Sequence, residues 1–97
     1  MKPVVFSETA KTDLERLLLY LEENWSIEVK HQFVNQLDIA IKTIVKFPEG
    51  FPSSSLKQVV RKCVVTEQTS LFYRIKKKEI EIIAIFDSRQ DPLQLRL

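Results

Sequence analysis

The chain changes from one hydrophobic period to another near its middle. In the first half, apolar residues recur at every third or fourth position, which predicts two amphipathic helices. Ser7 and Ser26 precede the helices as N-cap residues, and Pro48 requires that the second helix has already ended. The short break at residues 24–26 makes the pair an antiparallel helical hairpin. The two apolar stripes are Ala10, Leu14, Leu17, Leu18 and Leu21, then Phe33, Val34, Leu37, Ala40, Ile41, Ile44 and Val45.

The second half follows a period of two, which predicts β-strands. Residues 58–65 alternate weakly, and residues 70–92 are typical of a β-hairpin with lysines in its turn. A short β-branched segment at residues 2–6 predicts one more strand, before the first helix.

The hairpin register follows from its turn. If Lys77 and Lys78 form the turn, or the loop is residues 76–79, the register sets Arg74 opposite Glu81 on one face. We expect that face to end at Asp87 and Arg89. The pairs expected on the other face are Ile75 with Ile80, Tyr73 with Ile82, and Leu71 with Ala84.

The predicted order of elements is β-α-α-β-β-β. A loop at residues 48–55, which holds the only glycine and two of the four prolines, separates helices from strands. This order indicates an α+β fold in which the helical hairpin packs on one face of a mostly antiparallel sheet. The other face is expected to be partly open. With 97 residues, we expect one domain over 1–97.

Composition excludes several classes of site. No segment approaches the roughly 20 apolar residues that a membrane span needs, so we expect a cytoplasmic protein without a membrane partner. Cys63 is the only cysteine and His31 the only histidine, which argues against a disulfide, a metal site and a Cys-His nucleophile. One glycine cannot build a phosphate-binding loop. We therefore expect no cofactor.

The charge is unevenly distributed. Residues 1–56 hold 6 Lys and Arg against 8 Asp and Glu, whereas residues 57–97 hold 9 against 5, a net charge of +4. A positive field around the sheet suits a polyanion or an acidic protein partner. We interpret the turn lysines 76–78 as residues that keep the hairpin soluble and protect its edges. The candidate binding residues are Arg61, Lys62, Arg74 and Arg89.

Local partners distinguish these candidates. Arg74 can pair with Glu81, and Arg89 can pair with Asp87 or Asp91, so neither needs a ligand. Arg61 has no obvious acidic partner, which favours a functional role. Trp25 is expected to pack in the core or between the helices.

Several phrases occur in an order that resembles the RelE/ParE superfamily of toxins from type II toxin-antitoxin modules, which includes plasmid stabilisation proteins. They are F-S-x-x-A from Phe6, the Y-L at Tyr20, the F-P at Phe51, the arginine in V-R-K-C-V-V, L-F-Y-R-I, and F-D-x-R-Q from Phe86. The likeness spans nearly the whole chain and is closer to the ParE-like branch. It implies the same small α+β fold.

The resemblance implies two alternative activities. RelE-like members cut messenger RNA on the ribosome, whereas ParE-like members inhibit DNA gyrase without a nuclease set. In a nuclease, Arg61, Arg74, Asp87 and Arg89 are the candidate catalytic residues, with Asp87 or Glu67 as a base whose pKa burial would raise toward neutrality. Because no histidine or tyrosine stands near the end of the last strand, we favour a ParE-like, non-enzymatic inhibitor of gyrase.

Two other functions stay open at this point. One is a ribosome-dependent mRNA interferase, and the other is a non-toxic remnant that only binds an antitoxin. The resemblance implies a cognate antitoxin as partner in each case, and gyrase or the ribosome with its mRNA as target. Exposed edge strands also allow a homodimer or a larger toxin-antitoxin assembly.

Overall fold

The computed structural model describes residues 1–54 and 59–90. The predicted order β-α-α-β-β-β is confirmed. The predicted end of the loop at residue 55, the predicted start of a strand at residue 58, and Asp91 as a partner for Arg89 lie outside the described residues. The elements are β1 (Val4–Phe6), α1 (Glu8–Asn24), α2 (Ile27–Lys46), β2 (Arg61–Val64), β3 (Thr69–Ile75) and β4 (Ile80–Asp87).

Both helices begin at the predicted serine caps. The Ser7 hydroxyl accepts the Ala10 amide at 3.0 Å, and the Ser26 hydroxyl accepts the Val29 amide at 3.1 Å. Each cap satisfies one of the amides that a helix leaves without an internal partner. The described helices do not have the combination of length and apolarity needed to cross a bilayer.

The four strands form one mixed sheet in the order β1-β4-β3-β2. Strand β1 pairs in parallel with β4, while the β3 pairings with β4 and β2 are antiparallel. The prediction of a mostly antiparallel sheet is therefore confirmed. Strands β1 and β2 are the two edges.

The hairpin register is right near the turn and wrong beyond it. Ile75 faces Ile80 and Tyr73 faces Ile82, as predicted, but the register shifts between Phe72 and Tyr73. Leu71 consequently faces Ile85 rather than Ala84. The shift is a β-bulge, in which β4 carries one extra residue, Ile83, that no partner opposes.

The bulge reverses the sheet face on which the following side chains of β4 lie. Ile85 belongs to the core under the helices, whereas Ala84 lies in a separate cluster with Phe72 and Val60 on the second sheet face. The sequence assigned Ala84 to the first face and Ile85 to the second, and both assignments are wrong. A shift of one residue moves each later side chain to the opposite face.

The core lies between the helical hairpin and one sheet face, as predicted. The second face is covered at Phe72 and Ala84, which are nearly inaccessible, and is open at Lys62, Val64 and Arg74. Fully buried members of the main core include Leu17, Leu21, Ile44, Leu71, Tyr73, Ile80 and Ile82.

The side chains of Ser7, which caps α1, and Asp13 of α1 bond to the backbone of β4 beyond the point where β1 ends. The Ser7 hydroxyl donates to the Ile83 carbonyl at 2.9 Å, and the Ile85 amide donates to the Asp13 carboxylate at 3.1 Å. Strand backbone without a neighbouring strand needs such partners. Ser7 therefore serves both as a helix cap and as a link to the bulge.

The two serine caps provide a matched pair of variants. We expect Ser26→Ala to lower the free energy of unfolding by about 1 kcal/mol, the typical cost of losing a cap. Ser7→Ala should cost about 2 kcal/mol, because it also leaves the Ile83 carbonyl without its donor. Urea unfolding followed by circular dichroism measures both values. Equal losses in the two variants would contradict the second role of Ser7.

Candidate functional site

The predicted arginines do not share one sheet face. Arg61 alternates with buried Cys63 and so lies on the helix side of the sheet, whereas Arg74 lies on the second face. Asp87 lies on the helix side of the sheet, like Ile85, because the bulge at Ile83 reverses the alternation of the side chains that follow it. The expectation that Asp87 and Arg89 complete the face of Arg74 is therefore wrong.

Arg61 is held by the loop that follows α2. Its Nη1 atom donates to the Phe51 carbonyl at 2.6 Å and to the Glu49 carbonyl at 3.2 Å. Arg61 has no carboxylate partner among the described residues, as the sequence indicated. Two backbone carbonyl oxygens instead accept hydrogen bonds from its guanidinium. The contact ties the loop to the first residue of β2.

Arg74 makes the predicted cross-strand pair. Its Nε atom lies 2.7 Å from Glu81 Oε1, with 48% of the Arg74 side chain and 19% of the Glu81 side chain exposed. A pair this exposed contributes little to stability, about 0 to 1 kcal/mol. Lys62, in the next row of the same face, is exposed.

Asp87 is the most enclosed ionisable group of the candidates. Its side chain is inaccessible to solvent, and its two oxygens accept four hydrogen bonds. The Thr69 hydroxyl donates at 2.6 Å from the facing position on β3, and the Arg89 amide donates at 2.9 Å. The Arg89 guanidinium donates through Nε at 2.8 Å and Nη2 at 2.7 Å. This two-pronged pair fixes the Arg89 side chain.

The pKa of Asp87 differs from the value that an effective general base needs. Burial alone would raise the pKa of Asp87, but the hydrogen bonds from Arg89 and Thr69 outweigh it and hold that pKa below its ordinary value. The hydrogen bond to Asp87 in turn raises the pKa of Arg89. The hypothesis of a base with an elevated pKa at Asp87 is therefore wrong.

Trp25 lies on the surface rather than in the core. The C-cap residue of α1, it exposes 57% of its area, and the Arg89 guanidinium carbon lies 5.4 Å from its ring centroid. This distance is typical of a cation-π contact. No pattern in the sequence predicts this contact, because the two residues are far apart along the chain. We call Trp25, Thr69, Asp87 and Arg89 the Arg89 cluster.

A cleft of about 140 Å³ opens beside the Arg89 cluster. Its apolar wall includes Leu21 and Phe33, and its polar wall includes Gln36, Gln68 and Arg89. The cleft can accept one side chain of a partner, with the amides as hydrogen-bonding groups.

The remaining candidate proton carriers are poorly placed. Burial raises the pKa of Tyr73 to about 12, although Arg61 lowers it in part, and the Tyr73 hydroxyl donates to the Pro48 carbonyl. His31 and Glu67 are exposed at the surface. Within residues 1–54 and 59–90, no group of three or more His, Cys, Asp or Glu side chains could hold a metal ion.

Arg61 and Arg89 also lie at different places along the sheet. Arg61 faces Tyr73, whereas Asp87 faces Thr69, four residues away along β3. That separation corresponds to about 13 Å of strand. The structure therefore brings Asp87 and Arg89 together and leaves the other two arginines apart from them.

The buried carboxylate predicts a specific pH dependence of stability. Because the folded-state pKa of Asp87 lies below its ordinary value, its contribution is complete above about pH 5 and is lost as the pH falls through the folded pKa. We expect Asp87→Asn to lower the free energy of unfolding by about 3 kcal/mol near neutrality. That difference should shrink progressively in acid, and urea unfolding at a series of pH values measures it.

Asp38→Asn is the matched control for this measurement. Asp38 is 61% exposed and pairs with Lys42 at 2.9 Å on the surface of α2. We expect this variant to change stability by less than about 0.5 kcal/mol at any pH. A difference between wild type and Asp87→Asn that is constant or grows in acid would contradict the role given to Asp87.

Comparison with known proteins agrees with this architecture. The profile of the family described as "ParE toxin of type II toxin-antitoxin system, parDE" matches residues 4–92. The toxin ParE1 of Caulobacter vibrioides is 31% identical to the chain over 86 residues, which is 88% of each protein.

Solved structures show the same fold. The chromosomal ParDE toxin-antitoxin system of P. aeruginosa includes a chain that superposes with a TM-score of 0.76 at 21% identity, with 90% of this chain and 96% of that chain covered. YafQ of E. coli superposes with a TM-score of 0.62 at 11% identity, covering 92% and 96%. On the family match and the identity to ParE1, the chain belongs to the ParE toxin family and is a toxin of the type II toxin-antitoxin class.

Proposed function

We propose that this toxin acts by binding DNA gyrase, not by cutting RNA, and that the Arg89 cluster is part of the surface that contacts the enzyme. Gyrase is the target that the resemblance to ParE-like toxins implies. The observation that carries the proposal is the stacking of a rigidly held arginine on an exposed tryptophan beside a cleft.

The chemistry of the cluster is that of a protein contact. Tryptophan and arginine are among the residue types most enriched where single side chains dominate binding between proteins. Because Asp87 fixes the Arg89 guanidinium before binding, little side-chain entropy is lost when a partner packs on it. The adjacent cleft offers a recess of about 140 Å³ for a side chain of the partner.

The state of the candidate catalytic residues supports protein binding over RNA cleavage. A general base is most effective with a pKa near the working pH, but the pKa of Asp87 is lowered by its partners. Tyr73, with a pKa of about 12 and its hydroxyl bonded to a backbone carbonyl, is a poor proton carrier. Arg61 is engaged by the loop after α2, and Arg74 is paired with Glu81.

A cognate antitoxin is the second proposed partner. One solved structural neighbour is described as the E. coli DinJ-YafQ toxin-antitoxin complex. We propose that this chain likewise binds a cognate antitoxin, in the cytoplasm where gyrase acts. Another neighbour is described as the YoeB dimer of Staphylococcus aureus. Self-association in the absence of antitoxin fits the two edge strands.

The contact surface can be tested with variants of the exposed aromatic residue. We expect Trp25→Ala to raise the toxin concentration for half-inhibition of gyrase supercoiling by about tenfold or more, the effect of losing a dominant contact residue. Trp25→Phe should recover part of the inhibition, because a smaller ring keeps some of the stacking on Arg89. Supercoiling assays with purified toxin and gyrase measure both.

Ile39→Ala is the control for lost apolar surface. Ile39 is 64% exposed, similar to Trp25, but lies twelve residues into α2, away from the cluster. We expect Ile39→Ala to leave the inhibition of gyrase supercoiling unchanged. Equal effects of Trp25→Ala and Ile39→Ala would remove the Arg89 cluster from the contact surface. Wild-type toxin that spares gyrase and cleaves transcripts on translating ribosomes would overturn the gyrase proposal itself.

A further inference from the structure

We propose that a cluster of cations at the end of the sheet opposite the Arg89 cluster binds the sugar-phosphate backbone of duplex DNA. The cluster, called here the basic corner, comprises Lys2, Arg74, Lys76, Lys77 and Lys78. From the sequence, the turn lysines were interpreted only as residues that keep the hairpin soluble and protect its edges. The fold adds residues from two other positions to them.

Strand pairing assembles the basic corner from the first residues of the chain and the distant β3–β4 turn. Because β1 runs parallel to β4, the start of the chain lies beside the β3–β4 turn, with the Ile80 amide donating to the Pro3 carbonyl at 2.9 Å. The Lys2 ammonium donates to the Lys76 carbonyl at 2.6 Å. Arg74 lies next to the turn on the second sheet face.

The charges at the corner are only partly compensated. Glu79 lies 3.6 Å from the Lys76 ammonium, and Glu81 pairs with Arg74. Five cations against two carboxylates leave a net charge of 5 − 2 = +3, whereas the remaining residues hold 10 Lys and Arg against 11 Asp and Glu. Lys77 and Lys78 are exposed and have no carboxylate partner among the described residues. The positive charge of the protein is therefore concentrated at this corner.

The surroundings of the corner favour duplex DNA over other polyanions. Proteins that hold single strands stack bases on exposed aromatic rings, but Phe72 and Tyr73, the aromatic residues of β3, are 4% and 0% exposed. An acidic protein partner would require a buried apolar or aromatic anchor as well as charge. Exposed lysines at a hairpin turn suit contacts to a regular row of phosphates, which need no base recognition.

The position of the corner is compatible with simultaneous binding of gyrase. Strand β4 has 8 residues, so its two ends lie about 23 Å apart. The corner lies at the Ile80 end and the Arg89 cluster beyond the Asp87 end. A toxin on gyrase could thus contact DNA held by the enzyme. The inference about DNA does not depend on gyrase, since it can be tested with DNA alone.

Salt dependence of binding to DNA tests the inference. A short labelled duplex is titrated with the wild-type chain and with the double variant Lys77→Gln/Lys78→Gln, and fluorescence anisotropy is recorded between about 50 and 200 mM salt. Each phosphate contact contributes about −0.9 to the slope of log K against log salt. We expect the wild type to bind the duplex, and the double variant to bind more weakly with a slope shallower by about 1.8.

Lys11→Gln/Lys42→Gln is the matched control, because it removes the same charge from exposed positions on the helices. It should keep the wild-type slope. Three results would each overturn the proposal: no duplex binding by the wild type, equal losses in the two double variants, or tighter binding to a single strand of equal length. Preference for an acidic peptide over the duplex would do the same. Circular dichroism spectra of all three proteins confirm that each remains folded.

Discussion

The extra residue that bulges from the last strand determines where the ion pair of Asp87 and Arg89 lies in this toxin. If β4 alternated regularly through Ile83, Asp87 would lie on the second sheet face. Because Ile83 is bulged, Asp87 lies on the helix side and meets Thr69 directly across the hairpin. Backbone groups at and beyond the bulge are satisfied by Ser7 and Asp13 of α1. The helix therefore supports the distortion that places the ion pair.

Burying Asp87 has a cost that its partners must offset. Removing a carboxylate from water disfavours its charged form, yet four hydrogen bonds and a guanidinium hold it ionised. The result is an arginine whose charge is largely balanced and whose orientation is fixed. Such a group, stacked on Trp25, is suited to a contact with another protein, since it brings little net charge to be desolvated. It is poorly suited to moving protons.

Local interactions were predictable from the sequence, and contacts set by the bulge or by distant backbone were not. Ser7 and Ser26 were identified as caps because capping involves only neighbouring residues. The pairing of Arg74 with Glu81 followed from counting residues across a turn. The site itself was predicted only in part. Asp87 was named as a partner for Arg89, but its burial and lowered pKa depend on Ile83, whose side chain carries no signal of a bulge. Arg61 bonds to carbonyls, which every residue possesses.

The two ends of β4 differ in electrostatic character, and this difference favours different kinds of partner. At one end, the ion pair between Asp87 and Arg89 is internally balanced, and its surroundings are aromatic and amide groups. At the other end, the basic corner holds a positive charge that its two carboxylates only partly compensate. At physiological salt, a field is screened within about 8 Å, well short of the roughly 23 Å along the strand. Binding at one end therefore leaves the charge at the other nearly unchanged, so one small sheet can present a protein contact and a phosphate contact independently.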